Sequence, residues 1–497
     1  MTIPIIDACE IARQKEFIAL IARLLAESSE CSGQKWHYYI HTFGCQLNEN
    51  DGEKLAGQLD QMGYAETDSP EEADLILLNT CTIRENAEDR LFGNLGRIKN
   101  LRRDKPGLVV ILCGCMMKQP EHIERISRSF KFVDIVFGPQ DIHRLPELLY
   151  QRLNGQKRIY EVGQEDPIAE GLPVHRARKF RALCSIMFGC NNFCTYCIVP
   201  YTRGRERSRQ PSDILIELRQ AAAAGYPEVL LLGQNVNSYG NDLRQSDGQS
   251  LNFAGLLTEA AKIPGLRRIR FMTSHPKDIS EELLQIMGSR PAIAPHLHLP
   301  LQSGSNRVLQ RMNRQYTRER YLEIIRQARR LIPGLSISTD LIVGFPGETE
   351  ADFADTLALM DEVHFDSAFT FQYSKRGGTP AAAMPDQVSP EAVRERFGRL
   401  VELQDCHSLE SNQKVIGSTE EILIEGTSAT AADIFSGRTG SNRLVNFTIP
   451  ARLDMPAEYR LPDGTISGAS LEGRLAAVRL IRAKTFSLEG EMETLLL

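Results

Sequence analysis

Residues 189–197 read Gly-Cys-Asn-Asn-Phe-Cys-Thr-Tyr-Cys, and this stretch is the strongest indication of the fold in the sequence. Its cysteines, Cys190, Cys194 and Cys197, have the spacing C-x3-C-x2-C. Three thiolates so close in sequence can hold a [4Fe-4S] cluster and leave its fourth iron without a protein ligand. An iron with an open position can bind a small molecule, to which the cluster can pass one electron.

Structural zinc is the main alternative for this motif, and the sequence disfavours it. Such zinc sites take four Cys or His ligands in paired clusters, whereas the nearest upstream histidine, His175, lies in a Gly-, Pro- and charge-rich segment. Tyr196, before the last cysteine, resembles the aromatic residue that radical S-adenosylmethionine (SAM) enzymes place over the adenine of SAM. This resemblance implies that one electron cleaves SAM to a 5′-deoxyadenosyl radical, which abstracts hydrogen from unreactive carbon.

The composition is that of an ordinary globular protein with several domains. The 497 residues are 42% hydrophobic and 25% charged, with a formal net charge of −6, and this length predicts two to four domains. We find no apolar run of membrane-spanning length and no signal-peptide pattern near the start. Eleven cysteines in such a chain indicate metal ligation in a reducing compartment, so we expect a cytoplasmic protein.

Three further cysteines each follow a predicted strand in the first half of the chain. From residue 36 strands and helices alternate, which predicts a doubly wound parallel α/β sheet. Cys45, Cys81 and Cys115 come after its first three strands, so we expect their thiols to converge at one sheet edge. The alternative is three buried cysteines that act as small apolar residues. Nearby Asn, Thr and Gly residues, which are typical of loops, favour the first interpretation.

The rest of the chain predicts two more domains. Six strand-like runs, each followed by a helix, suit a partial (β/α)6 barrel whose active face lies at the carboxyl ends of its strands. Beyond residue 414, shorter β runs indicate a small antiparallel β-barrel. The predicted organisation is a helical extension at 1–35, an α/β domain at 36–153, a linker at 154–178, the partial barrel at 179–413 and the β-barrel at 414–485.

Two groups of arginines indicate where a polyanionic partner would bind. Arg203, Arg205 and Arg207 follow the cysteine motif directly, so we expect them at the mouth of the active site, facing phosphates. Arg438 and Arg443 give the small β-barrel a basic bias, and such barrels commonly bind looped or single-stranded nucleic acid. A barrel that docks another protein is the alternative.

The motifs together resemble the methylthiotransferase family over about residues 36 to 485. The resemblance lies in Thr-Phe-Gly-Cys-Gln-Leu-Asn at 42–48, Val-Pro-Tyr-Thr-Arg-Gly-Arg-Glu at 199–206, Leu-Gly-Gln-Asn-Val-Asn at 232–237 and Thr-Ser-His-Pro at 273–276. These segments are similar to the type that converts N6-isopentenyladenosine beside the tRNA anticodon into its 2-methylthio derivative.

That resemblance implies two [4Fe-4S] clusters, an auxiliary one on Cys45, Cys81 and Cys115 and one for SAM on the cysteines at 190–197. One SAM would methylate sulfur on the auxiliary cluster, and a second would generate the radical that takes hydrogen from C2 of adenine. SAM would be bound by Tyr196, Gln234, Asn235, Ser274, Asp340, Val343 and Phe345. The implied partners are the tRNA anticodon stem-loop, gripped by a C-terminal TRAM barrel, and an electron donor similar to flavodoxin or ferredoxin. The enzyme would be a monomer.

Several alternatives stay open on the sequence alone. The same chemistry could act on threonylcarbamoyl-adenosine of tRNA, or on an aspartate of a ribosomal protein. A non-enzymatic iron–sulfur RNA-binding regulator is a different class, and it would not need the SAM-binding turns that the barrel pattern contains. The second cluster could also relay electrons instead of presenting sulfur to a carbon radical.

Overall fold

The structure, a computed structural model, describes residues 5–82, 85–163, 165–243, 251–428, 431–461 and 465–496. The chain forms two compact units. Unit 1 comprises Met1–Ala177, Phe188–Asn191 and Cys197–Arg209, and unit 2 comprises Arg178–Met187, Asn192–Tyr196 and Gln210–Leu497. The chain passes between the units within the cysteine motif, so Cys190 and Cys197 belong to unit 1 and Cys194 belongs to unit 2.

Unit 1 is built on a parallel sheet covered by helices. Its strands are β1 His37–Thr42, β2 Ala65–Glu66, β3 Leu75–Thr80, β4 Val109–Gly114, β5 Ile135–Phe137 and β6 Ile159–Glu161. They lie in the order β2-β1-β3-β4-β5-β6, and each neighbouring pair is parallel. The helices are α1 Ala8–Ser32, α2 Gln46–Gln61, α3 Glu85–Asp104, α4 Pro120–Ser129, α5 Leu145–Leu153 and α6 Val199–Thr202.

The central strands of this sheet are buried on both faces, as their unbroken apolar sequences predict. Leu75 and Leu77 pack into one core, and Ile76 and Leu78 pack into the other, because successive side chains of a strand point to opposite faces. The prediction of a parallel α/β sheet is confirmed.

Two segments of unit 1 differ from the sequence expectation. The predicted extension contains α1, whose Ile21 and Leu25 are buried in the same core as Leu75, so this helix is an integral part of the unit. The predicted linker contains β6, which pairs with β5 at the edge of the sheet. The sequence missed β2 and β6 because strands of two or three residues carry too little periodicity to detect.

The strands that follow along the chain are β7 Arg181–Ser185, β8 Met187–Phe188, β9 Arg207–Ser208, β10 Glu228–Leu232, β11 Arg268–Phe271, β12 His296–His298, β13 Ser336–Val343 and β14 Ser367–Gln372. The helices are α7 Pro211–Ala223, α8 Phe253–Ala260, α9 Glu281–Ser289, α10 Asn306–Arg311, α11 Arg318–Leu331, α12 Glu350–Val363 and α13 Pro390–Gln413. Short 3-10 turns occupy Cys115–Lys118, Ile142–Arg144, Val236–Ser238, Pro276–Asp278, Pro380–Ala383 and Ala457–Tyr459.

Unit 2 contains the partial barrel. Two parallel sheets, β7-β10-β11 and β12-β13-β14, are joined where the backbone of Ile269 bonds to Ala292 and Ala294 at 2.7 and 2.9 Å. Ser305 and Thr349 accept backbone hydrogen bonds at the starts of α10 and α12, which is why these helices begin there. Strands alternate with helices along this part of the chain, which confirms the predicted partial (β/α) barrel.

The C-terminal part of unit 2 is a closed barrel formed by β15 Thr419–Ser428, β16 Ala431–Thr439, β17 Leu444–Thr448, β18 Leu475–Ala483 and β19 Leu488–Leu496, with the short helix α14 Gly468–Leu471. The strand order is β15-β16-β17-β19-β18. The expectation of an antiparallel barrel holds except at β17 and β19, which pair in parallel. The barrel also continues past the predicted end at residue 485, because β19 supplies two of its pairings.

A buried charge cluster joins the two barrels of unit 2. Glu228 is fully buried and lies 2.8 Å from Arg270 and 3.6 Å from Arg268, and it also pairs with Arg181. Arg270 donates to the carbonyl oxygens of Thr439 and Gly440, at 2.6 and 2.9 Å. The carboxylate offsets the burial of the guanidinium groups, which in turn satisfy carbonyls of the small barrel. No helix in the described residues is long and apolar enough to cross a bilayer.

Candidate active site

The three cysteines of unit 1 lie at one edge of its sheet. Cys45, Cys81 and Cys115 follow β1, β3 and β4, which are neighbours in the strand order. The pKa of Cys115 is raised to about 12, mainly by burial and in part by the nearby thiols of Cys45 and Cys81, against the lowering effect of Arg203. Burial also raises the pKa of Cys45, and Cys81 adds to the rise. Each thiol is therefore close enough to another to change its electrostatics.

Small and polar residues hold the turns that carry these cysteines. Gly44 has φ +99°, and a Cβ atom there would lie 2.3 Å from the Sγ of Cys81, so only glycine fits. The side-chain amide of Asn48 donates to the carbonyl oxygens of Phe43 and Thr80, at 2.9 and 2.8 Å. Asn48 thus ties the turn before Cys45 to the turn before Cys81.

A buried arginine contacts this cysteine group. Arg203 donates from Nε to the Sγ of Cys115 at 2.9 Å and from Nη2 to the Oδ1 of Asn48 at 2.5 Å. Its Nη1 lies 2.7 Å from the Oδ2 of Asp51, which is buried on α2. The guanidinium therefore has a carboxylate on one side and a cysteine sulfur on the other.

This placement corrects the expectation for the arginines after the motif. Arg203 is buried, and Arg207 is also buried, with Nη2 donating to the Arg203 carbonyl at 3.2 Å and Nη1 lying 3.3 Å from Asp166. These two side chains face protein groups instead of an open mouth, because Asp51 and Asp166 attract them inward. Arg205 is exposed, so phosphate contact by this residue stays a prediction.

Cys113 illustrates how the sheet separates neighbouring cysteines. It lies two residues before Cys115 but packs in the core with Leu75 and Leu77, and burial raises its pKa well above the usual value. Cys115 instead begins the 3-10 turn after β4. Cys113 therefore serves as a core residue and as a natural control for Cys115.

In unit 2, Cys194 also has an arginine neighbour. Arg314 donates from Nη1 to the Sγ of Cys194 at 3.3 Å, from Nη2 to the Pro300 carbonyl at 3.1 Å and from Nε to the Tyr316 hydroxyl at 3.1 Å. The Thr195 hydroxyl donates to the Arg311 carbonyl at 2.9 Å, which holds the adjoining loop. Sequence reasoning missed Arg314, because it lies 120 residues from Cys194 and belongs to no recognisable motif.

Polar atoms without hydrogen-bond partners mark the strand ends of the partial barrel. Within the described residues the buried atoms Gln234 Oε1, Asn235 Oδ1, Ser274 Oγ and His275 Nε2 have no such partner. Native proteins seldom leave buried polar groups unsatisfied, so a cluster of them after β10 and β11 indicates a ligand. Three of these residues are ones that the sequence assigned to SAM.

The structure gives His275, the residue after Ser274, a defined protonation state. Burial, together with the charges of Arg314 and Lys277, lowers its pKa to about 2. Its Nδ1 accepts from the Lys277 backbone N–H at 3.3 Å, so Nε2 carries the proton. His275 is thus a neutral donor beside the unpartnered oxygens.

The remaining residues assigned to SAM have different surroundings. Tyr196 packs against a cluster that contains Phe345 and Met312. Phe345 and Val343 are closed in, so only the backbone of their turn is available to a ligand. Asp340 is partly exposed, with Oδ1 3.5 Å from the Nε2 of His298.

The two arginines assigned to RNA on the small barrel also differ. Arg443 is mostly buried and lies 2.5 Å from Asp366 and 2.8 Å from the Asn412 side chain, so it joins the barrel to the preceding domain. Arg438 is about a third exposed and pairs with Glu425 at 3.2 Å. Phosphate contact is therefore more accessible to Arg438 than to Arg443.

Donor chemistry decides which cofactors these residues fit. Within the part of the chain that the structure describes, no three Cys, His, Asp or Glu side chains are already arranged as a metal site. Thiols are nevertheless the donors in both cysteine groups, the one in unit 1 and the one at 190–197. Thiolates are the ligands that iron–sulfur clusters take. The unpartnered polar atoms of the barrel fit the polar groups of a small molecule such as SAM.

Comparison with known proteins identifies the family. Residues 184–360 match the Radical SAM superfamily, and residues 37–138 match the uncharacterized protein family UPF0004. A tRNA-2-methylthio-N(6)-dimethylallyladenosine synthase of Acetivibrio thermocellus is 48% identical over 97% of this chain and 96% of that protein. A synthase of the same name from Desulforamulus reducens is 49% identical over 92% of this chain and 95% of its own.

The chain belongs to the tRNA-2-methylthio-N(6)-dimethylallyladenosine synthase family. Members are radical-SAM enzymes, so a [4Fe-4S] cluster and SAM are its cofactors. The radical-SAM methyltransferase TsrM of Kitasatospora setae, with cobalamin and a [4Fe-4S] cluster bound, has a similar fold, with a TM-score of 0.50 and 13% identity over 88% of this chain and 84% of that one. The synthase family thus confirms the resemblance that the cysteine and barrel motifs indicate.

Proposed function

We propose that this synthase-family chain methylthiolates C2 of N6-isopentenyladenosine at position 37 of tRNA. One observation carries the proposal: a second group of three cysteines, Cys45, Cys81 and Cys115, meets at one sheet edge in a radical-SAM enzyme. The names of its relatives support the acceptor. An iron–sulfur RNA-binding regulator would have no use for the unpartnered polar atoms at the strand ends of the barrel.

The proposal divides the cysteines between two clusters. Cys190, Cys194 and Cys197 would hold a [4Fe-4S] cluster that would supply the electron to cleave SAM, and Cys45, Cys81 and Cys115 would hold one that would supply sulfur. Arg203 and Arg314 each donate to one of these sulfurs and hold it as an acceptor.

Polar side chains of the barrel would orient SAM. Gln234, Asn235 and Ser274 offer acceptors to its amino group and ribose, and His275 offers a donor to its carboxylate. Tyr196 and the backbone at Val343–Phe345 would cover the adenine, and Asp340 would lie beside the polar tail.

Macromolecular contacts complete the proposal. The exposed Arg205 and the partly exposed Arg438 would contact phosphates of the anticodon stem-loop. A flavodoxin- or ferredoxin-like protein would supply electrons, and the enzyme would act as a monomer in the cytoplasm.

A product assay tests the proposed function. We would reconstitute the full chain anaerobically with iron and sulfide, add SAM, reductant and isopentenylated tRNA, and digest the RNA for mass spectrometry. A 2-methylthio-N6-isopentenyladenosine peak supports the proposal. Intact clusters without that nucleoside, or a product only on threonylcarbamoylated tRNA, would reject it.

Iron analysis tests the second cluster separately. The wild-type chain should bind about eight irons, and the Cys45→Ala/Cys81→Ala/Cys115→Ala variant about four. Cys113→Ser is the matched control. Because Cys113 is buried in the core with Leu75 and Leu77, this substitution should leave the iron content unchanged. Equal iron content in the wild type and the triple variant would remove the auxiliary cluster from the proposal.

A further inference from the structure

Two aromatic rings on β14 stand open on the surface of unit 2. Phe369 and Phe371 are 54% and 48% exposed, although their strand is paired in register with β13. Residues two apart on a strand share a face, so Tyr373, just beyond β14, continues the same row. We call this row, Phe369, Phe371 and Tyr373, the aromatic face.

One end of the aromatic face is bordered by an imidazole and a carboxylate. The ring of His298 meets that of Phe369 edge-on, with centroids 5.8 Å apart. Asp340 is the register partner of Phe369 and lies 3.5 Å from the Nε2 of His298. The Ser338 hydroxyl lies 2.9 Å from the Nδ1 of His298 and fixes this ring. The charge next to Phe369 is therefore negative.

The other end reaches the cysteine loop of unit 2. Ile342 is the register partner of Phe371, and it packs with Tyr373 and Tyr196 against one hydrophobic cluster. The buried hydroxyl of Tyr373 has no hydrogen-bond partner among the described residues, although Arg376 is near enough to lower the pKa of this tyrosine against the effect of burial. The aromatic face thus extends from Phe369, beside Asp340, to Tyr373, which packs in the same cluster as Tyr196.

These surroundings suit a neutral, flat ligand that carries an apolar branch. Aromatic rings stack on bases and pack against aliphatic groups, and a half-exposed pair gains most from a ligand that covers it. The carboxylate of Asp340 would repel an anionic substituent that lay against Phe369. The base to be modified must also come close to Tyr196, where the face begins.

We propose that Phe369 and Phe371 bind the N6-isopentenyl-adenine of the substrate and select this apolar substituent over an anionic one. The inference rests on the proposed function, and it assigns the choice of acceptor to two named side chains. It also opposes a threonylcarbamoyl acceptor, because the carboxylate of that group would face Asp340.

Binding to three hairpins tests this selection without turnover. Fluorescence anisotropy would give the Kd of the full chain for anticodon stem-loops that differ only at base 37, as adenosine, N6-isopentenyladenosine or N6-threonylcarbamoyladenosine. We expect the isopentenylated hairpin to bind roughly tenfold more tightly than the unmodified one, since the open face removes only part of the five-carbon branch from water. The threonylcarbamoylated hairpin should bind no better than the unmodified one.

Variants then locate the preference. In Phe369→Ala/Phe371→Ala the isopentenyl preference should fall to about onefold, because the Kd for the isopentenylated hairpin rises more than the Kd for the unmodified one, which loses only base stacking. Phe369→Leu/Phe371→Leu keeps an apolar face and should retain part of the preference. Ile216→Ala, on α7, removes a similarly exposed apolar side chain in unit 2 and is the matched control. Circular dichroism of each variant checks the fold.

Other outcomes overturn the inference. A full preference in the double Ala variant would place substituent recognition elsewhere, and a tighter threonylcarbamoylated hairpin would show that Arg376, not Asp340, sets the charge preference. Equal loss of all three hairpins would make the face a general RNA contact. The product assay on wild-type enzyme decides the proposed function separately, because it does not depend on the ratio of these Kd values.

Discussion

The two cysteine sites use the same device in different electrostatic settings. Each has a buried arginine that donates to a cysteine sulfur, Arg203 to Cys115 in unit 1 and Arg314 to Cys194 in unit 2. Arg203 also pairs with the buried carboxylate of Asp51, whereas Arg314 also donates to the neutral oxygens of Pro300 and Tyr316. The unit 1 sulfur thus shares its arginine with a permanent anion.

Because of this difference, the two arginines should contribute unequally to the stability of the fold. Removal of Arg203 leaves a buried carboxylate without its counter-charge, which is among the most costly single defects. Removal of Arg314 leaves neutral acceptors, which cost less. Because these other acceptors of Arg314 are neutral, its full charge is available to the sulfur of Cys194.

The largest expected effect is that of Arg203→Met. We expect it to lower the free energy of unfolding of unit 1 by about 3–5 kcal/mol, because Asp51 stays buried and unpaired. Trp36, the single tryptophan of the chain, belongs to unit 1, so its fluorescence during urea unfolding of the metal-free protein reports this unit.

A second substitution shows whether charge is the reason. Arg203→Met/Asp51→Asn should recover most of the lost stability, since the double variant buries no net charge. Arg205→Met, two residues away and exposed, should change the free energy by less than about 0.5 kcal/mol. If the Asp51→Asn change restores nothing, the carboxylate does not distinguish the two sites.

Arg314→Met should have a smaller effect. We expect about 1–3 kcal/mol of destabilisation in unit 2, the cost of unsatisfied neutral acceptors at Pro300 and Tyr316. Hydrogen exchange read by mass spectrometry in peptides that cover 297–316 measures it. Arg326→Met, an exposed arginine on α11, is the control. A loss as large as that of Arg203→Met would contradict the comparison.

The sequence showed the sulfur donors but not the arginines that hold them. Cys45, Cys81 and Cys115 were predictable as neighbours because strands of a parallel sheet end at one edge, so local pattern and topology together place them. Arg203 was visible only as part of a basic run, because its partners Asp51 and Cys115 lie 152 and 88 residues away, distances that no local spacing encodes.

The same distinction applies to the fold. Long buried strands such as β3, β4 and β13 have sequences that indicate them within a few residues. The short β6 and the barrel strands β16 and β19 were missed, since their residues are held by pairing with distant strands. The aromatic face depends on the register of β14 with β13, which the sequence of either strand does not state.

The pH dependence of unit 2 should carry a contribution from His275. Its native pKa of about 2 lies below the unfolded value near 6.5, so the unfolded chain takes up a proton that the native site excludes. The contribution of His275 to the free energy of unfolding is therefore fully present above pH 6.5 and falls by about 1.4 kcal/mol per pH unit below it. Hydrogen exchange in peptides of unit 2 at pH 7 and pH 5.5 measures the slope. His275→Gln should remove this part, and an unchanged slope would contradict it.

In unit 1, against His41 and His143, whose pKa values are lowered by burial, a weaker contribution of opposite sign should come from His175. This half-exposed ring lies 2.6 Å from Asp60, and although burial lowers its pKa, the carboxylates of Asp60 and Glu66 raise it above the usual value. A raised pKa stabilises the fold fully below the unfolded pKa near 6.5, and the gain is lost as pH rises through the native pKa. We expect less than about 1 kcal/mol because solvent screens the pair. Trp36 fluorescence in urea between pH 5 and 8 should show that His175→Gln removes this contribution from the wild-type pH profile, while His275→Gln leaves the profile unchanged. A pH profile of His175→Gln that matches the wild type would contradict the assignment.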